Sequence, residues 1–506
     1  MLAFMLVIGA VALGLVFFNP RGASSVAVDD PTTMDALAAA KKALIGYAVR
    51  RGGDPGNPLA RPGELPCPDT DNDGWEEATC ATPVTTPPTF AIGRLPWRTL
   101  GIPEPKDSAG ETIWYAVANP LRTRSSNNND INSNTRGNLV VRASDGAAML
   151  TTEAVAVLLA PGQALGAQNR STTQSAACAV TGTNIARNLC ADNYLESTNG
   201  IDNATKNGPF ITGLPSGTYN DRVLALTFDE YLPAVEMRVG TELRNLLIAY
   251  RQMSNCQCFP WADSWEYSGG VADVGVNRGR FPSQAYPENW AATTTLGVIP
   301  ALPQWVVDND WHNLVYYSAA RLETDGAGAL CFYCSASPML TVDGTPVSAL
   351  LFTPGPPPPL PVNRATDPDR DNLTYYLDDP ENNNKAVCPG SSAEHANNPP
   401  SPPPVVIVPP SCDTYVRPIS TTPTRDRLFP ITACATAATT LAQEALSAPC
   451  GPGGAGIRPA CQAQVDALAS CPCLPAAQQV IDEPCRNTLN PGQCQSAVTH
   501  LLQCGL

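Results

Sequence analysis

The stretch LAAAKKALIGYAVRRGG (37–53) opens an ordered series of short strings that occurs twice in this chain. In the first copy the strings that follow are LPCPD (65–69), GRLPWRTLG (93–101), IWYAVA (113–118), NLVVRASDG (138–146) and NYLESTNGID (193–202). The second copy consists of VGTELRNLLIAYRQ (239–252), CFPWAD (258–263), LPQWVVDND (302–310), LVYYSAA (314–320), LTVDGTPVSALL (340–351) and YYLDDPENNN (375–384). Because chance seldom preserves the order of five or six elements, the sequence predicts a duplicated structural unit.

Each copy predicts one long helix that leads into a small antiparallel sheet. The first helix is expected to start at Pro31-Thr32-Thr33, and the second carries a capping box formed by Thr227 and Glu230. Both helices have an apolar stripe at helical spacing, which is typical of a core seam against a sheet. Runs such as VLALTF (223–228) read as strands, without the helix–strand alternation of a parallel sheet, so the predicted class is α+β.

The N-terminal segment 1–18 is apolar and contains no charged side chain. As a helix it would span roughly 27 Å, close to the ~30 Å hydrocarbon core of a bilayer. This favours an uncleaved transmembrane anchor that contacts the lipid bilayer. The alternative is a signal peptide cleaved near GASSVA (22–27), although the basic residues that precede such a segment are missing.

The 18 cysteines are an even number and are scattered along the chain, which favours disulfides formed in an oxidising compartment. Cys331 and Cys334 have the spacing of a thiol redox pair, but no thioredoxin-like βαβ pattern surrounds them. We expect them to pair with Cys256 and Cys258 instead. The tail holds eight further cysteines, whose connectivity the sequence leaves open.

The net charge of −15 argues against nucleic acid as a partner, because no basic patch is present to release counterions. The chain has three histidines, His312, His395 and His500, and it lacks the H-E-x-x-H, G-x-S-x-G and Walker motifs. We therefore expect neither nucleotide binding nor enzymatic activity. Hydrolysis by a pair of carboxylates stays a disfavoured alternative, and His312 is expected to be structural.

The string DTDNDGWEE (69–77) is the best candidate for a metal site. Asp69, Asp71 and Asp73 alternate before Gly74, as in loops that present oxygen ligands to Ca²⁺, and Glu77 takes the ninth loop position. The twelfth position is a cysteine and not the bidentate glutamate of an EF-hand. The alternative is a surface loop of Asx turns clipped by a Cys67–Cys80 bridge.

A second, weaker calcium candidate lies near the end of the second copy. Asp367, Asp369 and Asp371 alternate there, and Asp378 occupies the twelfth position. Arg370 reduces the local negative charge and asparagine replaces the glycine, so this loop is a poorer cation site.

The segment NNPPSPPPVVIVPPSC (397–412) predicts a stiff polyproline-type spacer. The strings beyond it are short, rich in alanine and cysteine, and indicate a small helical domain held by disulfides. The predicted domains are listed in chain order: the anchor (1–18), module 1 (30–225), module 2 (226–395), a linker (396–412) and a Cys-rich helical domain (413–506).

The apolar N-terminus, the amphipathic helix, the Pro-turn, the step Asp107, Gly110, Tyr115 and the following strands together resemble type IV pilins and the pseudopilins of type II secretion. The strings LPCPDTDNDG and GRLPWRTLG are similar to those of large pilin-like proteins of Gram-negative bacteria. The resemblance covers residues 1–385. The basic leader and the glutamate at the fifth mature position that family members usually carry are absent.

The resemblance implies two tandem pilin-like modules and a single-pass location in the bacterial inner membrane, with the bulk of the chain in the periplasm or at the cell surface. It further implies a structural role in a pilus or a secretion apparatus, with other pilin-like subunits as partners. Two alternatives stay open, namely a membrane-anchored periplasmic binding or scaffold protein outside any filament and an extracytoplasmic carboxylate-dependent hydrolase.

Overall fold

A computed structural model describes the central part of the chain and scattered positions of its tail. The described residues are 30–52, 60–77, 91–122, 130–204, 208–256, 258–265, 272, 276–320, 322–324, 330–332, 340–358, 362–364, 369–377, 382, 413–417, 426–432, 436, 438–439, 441–442, 445, 450, 459–468, 476–477, 480, 498 and 501.

Within the described residues, helices and strands alternate irregularly along the chain. The α-helices are α1 (Pro31–Arg50), α2 (Trp97–Leu100), α3 (Phe228–Met253), α4 (Gln304–Asp308), α5 (Trp311–Leu314) and α6 (Pro459–Ala467). The strands are β1 (Ala91–Arg94), β2 (Trp114–Val117), β3 (Leu139–Arg142), β4 (Met149–Ala160), β5 (Ser175–Ala177), β6 (Asn184–Ala186), β7 (Ser197–Thr198), β8 (Ile201–Asp202), β9 (Phe210–Ile211), β10 (Arg222–Thr227), β11 (Arg278–Arg280), β12 (Tyr316–Ala319), β13 (Leu322–Thr324), β14 (Leu330–Phe332), β15 (Leu340–Val342), β16 (Thr345–Val347), β17 (Ala349–Thr353), β18 (Thr414–Tyr415) and β19 (Arg427–Ile431). Short 3-10 helices cover Asn119–Leu121, Arg187–Leu189, Ala191–Asn193, Asp369–Asp371 and Leu373–Tyr375.

The two long helices have well-defined starts. Asp30 caps α1 by accepting the N–H of Thr32 at 3.1 Å, and Pro31 occupies the first helical position. The capping box of α3 forms as the sequence predicts. The Thr227 side chain accepts the backbone N–H of Glu230, and the Glu230 carboxylate accepts the backbone N–H of Thr227 at 3.0 Å. α1 buries one apolar face and leaves its lysines on the other, whereas α3 is buried over most of its surface and encloses two charged side chains, Glu236 and Arg244.

Each long helix belongs to a unit whose sheet contains four antiparallel strands of the same connectivity. These strands are β1-β2-β4-β10 in unit one and β11-β12-β17-β19 in unit two. A parallel pair also occurs in each unit. In unit one β3 pairs with β9 and extends the same sheet to six strands, whereas in unit two β15 pairs with β18 in a separate three-stranded sheet. We call these two assemblies unit one and unit two below.

The main-chain contacts of the two units correspond residue by residue. Asp69 and Arg94 exchange two backbone hydrogen bonds of 3.0 and 2.7 Å, and Asp263 and Arg280 exchange two of 3.1 and 2.7 Å. These two backbone pairs are called the Asp–Arg bridges.

Tyrosine hydroxyls mark the same correspondence. Tyr115 donates its hydroxyl to the Pro66 carbonyl at 3.1 Å, and Tyr317 donates to the Pro260 carbonyl at 2.9 Å. The counterpart of GRLP (93–96) is therefore GRFP (279–282). The strings GRLPWRTLG and LPQWVVDND therefore do not correspond over their whole length. Their tryptophans do occupy similar places, because Trp97 on α2 and Trp305 on α4 both lie on a short helix between the first two strands of their sheets.

The two units share one hydrophobic core. A single cluster of buried side chains includes Leu44 of α1, Leu158 of β4, Leu247 of α3 and Phe429 of β19. The helices α1 and α3 pack on each other, and Lys41 of α1 pairs with Glu230 of α3 at 2.5 Å. The two copies are consequently fused through their helices within the described residues.

Two strands of unit two come from beyond the Pro-rich segment. Tyr415 of β18 lies beside Val342, and the five residues of β19 pair with β17 from Ala349↔Ile431 to Thr353↔Arg427. The sheet of unit two is completed by residues that the sequence places in the Cys-rich tail. The domain boundaries as a set stay a prediction.

The described part of the tail forms a small separate core. Its buried side chains are Ala438, Leu441, Ala442, Ala445, Cys450, Cys461, Val465, Leu468, Ala476, Ala477, Val480, Val498 and Leu501. A disulfide joins Cys450 to Cys461, and Cys461 lies on α6.

The predicted fold class is wrong in its N-terminal transmembrane helix. In the part of the chain that the structure describes, no helix combines the length and the apolar character needed to cross a membrane. The predicted anchor, residues 1–18, lies outside the described residues. The long helices that are described, α1 and α3, carry charged residues and bury apolar side chains in the shared core. The architecture is mixed helix and sheet, and the predicted single-pass inner-membrane location is corrected on the same finding.

Candidate functional site

The first acidic loop lies at the edge of the unit-one sheet. Asp69 is bridged to Arg94 of β1, and its carboxylate is 1% exposed. One carboxylate oxygen accepts the N–H of Asn72 at 2.6 Å and the other accepts the N–H of Gly74 at 2.7 Å. Asn72 and Gly74 both have positive φ, so the chain turns sharply around the buried carboxylate.

The loop brings part of the predicted ligand set together. Asp69, Asp71 and Glu77 each present a carboxylate oxygen within 4.8 Å of the others. Asp73 turns one oxygen to the N–H of Trp75 at 2.7 Å, and it is not among the three clustered acids. All three clustered donors are hard oxygens, which suits Ca²⁺ better than a softer metal.

The electrostatics of the loop favour a cation. Burial raises the pKa of Asp69 to about 6, two backbone N–H groups oppose the shift, and the charges of Asp71 and Asp73 add to it. A divalent cation would offset both the burial cost and the repulsion between these acids.

We expect Ca²⁺ to stabilise the protein through this loop. At a ligand concentration ten to a hundred times a Kd of about 0.1–1 mM, the gain would be about 1.4–2.7 kcal/mol in the free energy of unfolding. Thermal unfolding with Ca²⁺, Mg²⁺ or chelator measures it. The double variant Asp71→Asn, Glu77→Gln should lose the response, whereas Asp145→Asn, an acid of the β3–β4 turn, should keep it.

The second acidic loop is engaged by arginine. Asp371 accepts from Arg280 at 3.0 Å and lies 3.5 Å from Arg370, while Asp369 accepts the N–H of Asn363 at 2.8 Å. Asp367 and Asp378 lie outside the described residues. Because a guanidinium already neutralises Asp371, this loop is the poorer candidate for calcium.

Two buried arginines that sequence reasoning missed organise the same positions of both units. The guanidinium of Arg94 lies over the rings of both Trp114 and Tyr194, at 4.8 and 4.2 Å from their centroids. Arg280 lies over Trp265 at 4.6 Å and donates to the carbonyls of Trp265 and Asn313. Each arginine of an Asp–Arg bridge therefore also fixes the aromatic side chains that cover the sheet.

A buried acid pair is the second feature that the sequence did not reveal. Asp221 is 1% exposed and Glu196 is 8% exposed. Asp221 accepts the N–H of Glu196 at 3.0 Å and the amide of Asn203 at 2.9 Å, and Glu196 accepts from Gln168 and from the N–H of Asn220. Burial, and then the charge of Glu196, raise the pKa of Asp221 well above its ordinary value. The protonated form of Asp221 is therefore favoured in the folded protein.

Asp221→Asn is expected to stabilise the protein at pH 8 by about 1 kcal/mol, because it removes the charge that burial disfavours and keeps an acceptor oxygen. The native pKa is raised, so the wild type loses stability as pH rises above the unfolded value, and the gain should vanish toward pH 4. Urea unfolding across this pH range measures it. Asp202→Asn, an exposed acid of the same loop, should show no such trend.

The structure also shows the surroundings of His312 and the disulfide partner of Cys256. His312 is 7% exposed, its Nδ1 lies 3.5 Å from the Val306 carbonyl, and burial lowers its pKa, so the neutral ring sits in the fold. Cys256 is bonded to Cys258, so the expected pairing of these two with Cys331 and Cys334 is wrong. A further disulfide joins Cys178 to Cys190.

Of the motifs behind the resemblance to type IV pilins, LPCPDTDNDG contains Asp69 and GRLPWRTLG contains Arg94, the two residues of the Asp–Arg bridge in unit one. No protein-family model, curated protein or solved structure matches this chain. The family assignment therefore stays a prediction.

Proposed function

We propose that this chain is a structural protein, a pilin-like component of a multi-protein assembly outside the reducing cytoplasm, and that it is not an enzyme. The observation that carries the proposal is that both units contain the same Asp–Arg bridge at equivalent positions. The backbone groups of Asp69 and Arg94 in unit one, and those of Asp263 and Arg280 in unit two, form equivalent bridges at the edges of the two sheets. A backbone framework that is repeated in both copies supports a structural role.

The shared core and the disulfides support the same proposal. Packing of α1 on α3 joins the units without a separate linker between them. The bridges Cys178–Cys190 and Cys450–Cys461 suit a chain that matures in an oxidising compartment.

Site-specific photo-crosslinking in cells tests the proposal. A crosslinker at Met149 or Leu214, which are 59% and 73% exposed, should yield adducts with pilin-like subunits in sheared surface filaments. Leu158, which is fully buried, is the matched position that should give none. Recovery of the chain as a monomer without adducts, saturated by a soluble ligand, would instead support the binding-protein alternative.

A carboxylate-dependent hydrolase is the second candidate, and the Glu196–Asp221 pair is the observation that favours it. Its weakness is access, because both carboxylates are nearly enclosed and both accept hydrogen bonds from the loop around them. Turnover of a glycan panel that is abolished by both Glu196→Gln and Asp221→Asn would establish this candidate in place of the structural one.

A further inference from the structure

The Cys256–Cys258 disulfide follows directly on the end of α3. The two residues are separated by one residue, and their Cα atoms are 5.1 Å apart. A cross-link that closes so short a loop removes little freedom from the unfolded chain, in contrast to Cys178–Cys190, whose partners are 12 positions apart. The contribution of this bridge to folding is therefore expected to be small.

Unit one has a different residue at the position of Cys258. Because Pro66 corresponds to Pro260, the counterpart of Cys258 is Glu64, which pairs with Arg51 at 2.9 Å just past the end of α1. The disulfide-bonded cysteine of this connection in unit one, Cys67, follows Pro66 instead of preceding it. The short Cys256–Cys258 loop is therefore a feature of unit two that the aligned positions of unit one do not repeat.

The surroundings of the pair suit thiol exchange. Cys256 is partly exposed, whereas Cys258 is 2% exposed. Cys256 Sγ lies 3.8 Å from the hydroxyl of the buried Ser254, which also accepts the N–H of Cys258 at 3.2 Å. The Ser254 hydroxyl itself donates to the Cys258 carbonyl at 3.2 Å. A Cys256 thiolate formed on reduction would receive a hydrogen bond from this hydroxyl once it turns away from that carbonyl.

An apolar turn is held against Asn255, the residue that precedes Cys256. Thr295 donates to the side chain of Asn255, the neighbour of Cys256, at 3.0 and 2.6 Å. The adjoining Leu296 and Val298 are 47% and 60% exposed. Exposed apolar side chains beside a disulfide provide a surface on which an extended peptide can rest.

We propose that Cys256 and Cys258 form a redox-active disulfide that oxidises a dithiol polypeptide. A thiolate of the partner attacks Cys256 Sγ, the Cys256–Cys258 bond breaks, and Cys258 leaves as a thiolate. The second partner thiolate attacks the partner's sulfur in the mixed disulfide and releases Cys256. The partner loses two electrons and two thiol protons, which the cysteine pair takes up, and it ends with an internal disulfide.

Redox titration of the full chain tests this proposal. After equilibration with dithiothreitol, alkylation and peptide mass analysis, Cys256–Cys258 should be half reduced at a reduced-to-oxidised ratio about tenfold lower than Cys178–Cys190. Equal or greater resistance to reduction, or a bridge from either residue to Cys331 or Cys334, would overturn the proposal.

Activity is measured with a fluorescent peptide that carries two reduced cysteines. The wild type should oxidise one equivalent of peptide, and the Cys256→Ser, Cys258→Ser variant should lose this reaction while keeping the wild-type near-UV spectrum. The matched variant Cys178→Ser, Cys190→Ser should retain it. With oxidised glutathione, Cys258→Ser should accumulate a stable adduct on Cys256. An unchanged rate in the first variant, or no adduct in the last, would refute the exchange site.

Discussion

Gly279→Ala is expected to destabilise the protein by about 4 kcal/mol, the largest effect of a single methyl group that we foresee. A Cβ at this position would lie 2.0 Å from the carbonyl oxygen of Asp263, and Gly279 has a φ of +158°. The methyl group would force apart the Asp–Arg bridge of Asp263 and Arg280. Urea unfolding followed by tryptophan fluorescence measures the loss.

The chain supplies two matched comparisons for this prediction. Gly93→Ala, at the equivalent position of unit one, would place a Cβ 2.5 Å from the Asp69 carbonyl and should act in the same direction. Gly46→Ala, inside α1 with no atom within 4 Å of the added methyl, should instead stabilise by about 0.5–1 kcal/mol. If Gly279→Ala unfolds like the wild type, the assigned bridge is not a constraint on the fold.

Glu236→Ala is expected to cost about 3–5 kcal/mol at pH 5, because it strips the acceptor from a closed polar cluster. Glu236 lies on α3 with no exposed surface, and one carboxylate oxygen accepts from Ser133 at 2.7 Å and from the N–H of Gly355 at 2.8 Å. Arg427 of β19 lies 3.4 Å from the other oxygen. One side chain therefore joins a loop of unit one to two segments of unit two.

The variant Glu236→Gln keeps the shape of the side chain and removes its charge, so it tests the contribution of the charge alone. Burial raises the pKa of Glu236 to about 7, although Ser133, Arg427, Arg364 and the N–H of Gly355 oppose the shift. A raised acid pKa means that wild-type stability falls as pH rises from about 4.5 to 7 and is level above that. The glutamine variant should gain up to about 3 kcal/mol on the wild type across this window, measured by urea unfolding at each pH. A constant difference would show that the carboxylate does not titrate in the folded protein.

The sequence predicts the existence of the repeat but not its full register. Ordered strings identify two copies, and the Thr227–Glu230 capping box places the start of α3 correctly. The positions of the Asp–Arg bridges are indicated by a different signal, the Gly-Arg-apolar-Pro strings at 93–96 and 279–282. Glycine is required at the first position of each string because the carbonyl oxygen of the bridged aspartate lies where a Cβ would be. The shared tryptophan marks a short helix in each copy, α2 and α4, but it does not identify the bridge residues.

The two acidic sites of unit one also differ in how far the sequence predicts them. Alternating aspartates before a glycine encode a local turn, so the clustering of Asp69, Asp71 and Glu77 could be predicted from spacing. The pairing of Glu196 with Asp221 depends on a loop whose ends meet only in the folded unit. Its one sequence trace is an Asp-Arg step before the last strand of each copy, at 221–222 and 426–427.

Strand β19 pairs with β17 across an interval of more than seventy residues. During synthesis, the open backbone of β17 stays without this neighbour until residues 427–431 have emerged from the ribosome. A truncated product that ends in the Pro-rich segment would expose that edge to chaperones, proteases or other nascent chains. The sheet of unit two can therefore be completed only in molecules that have been translated past β19.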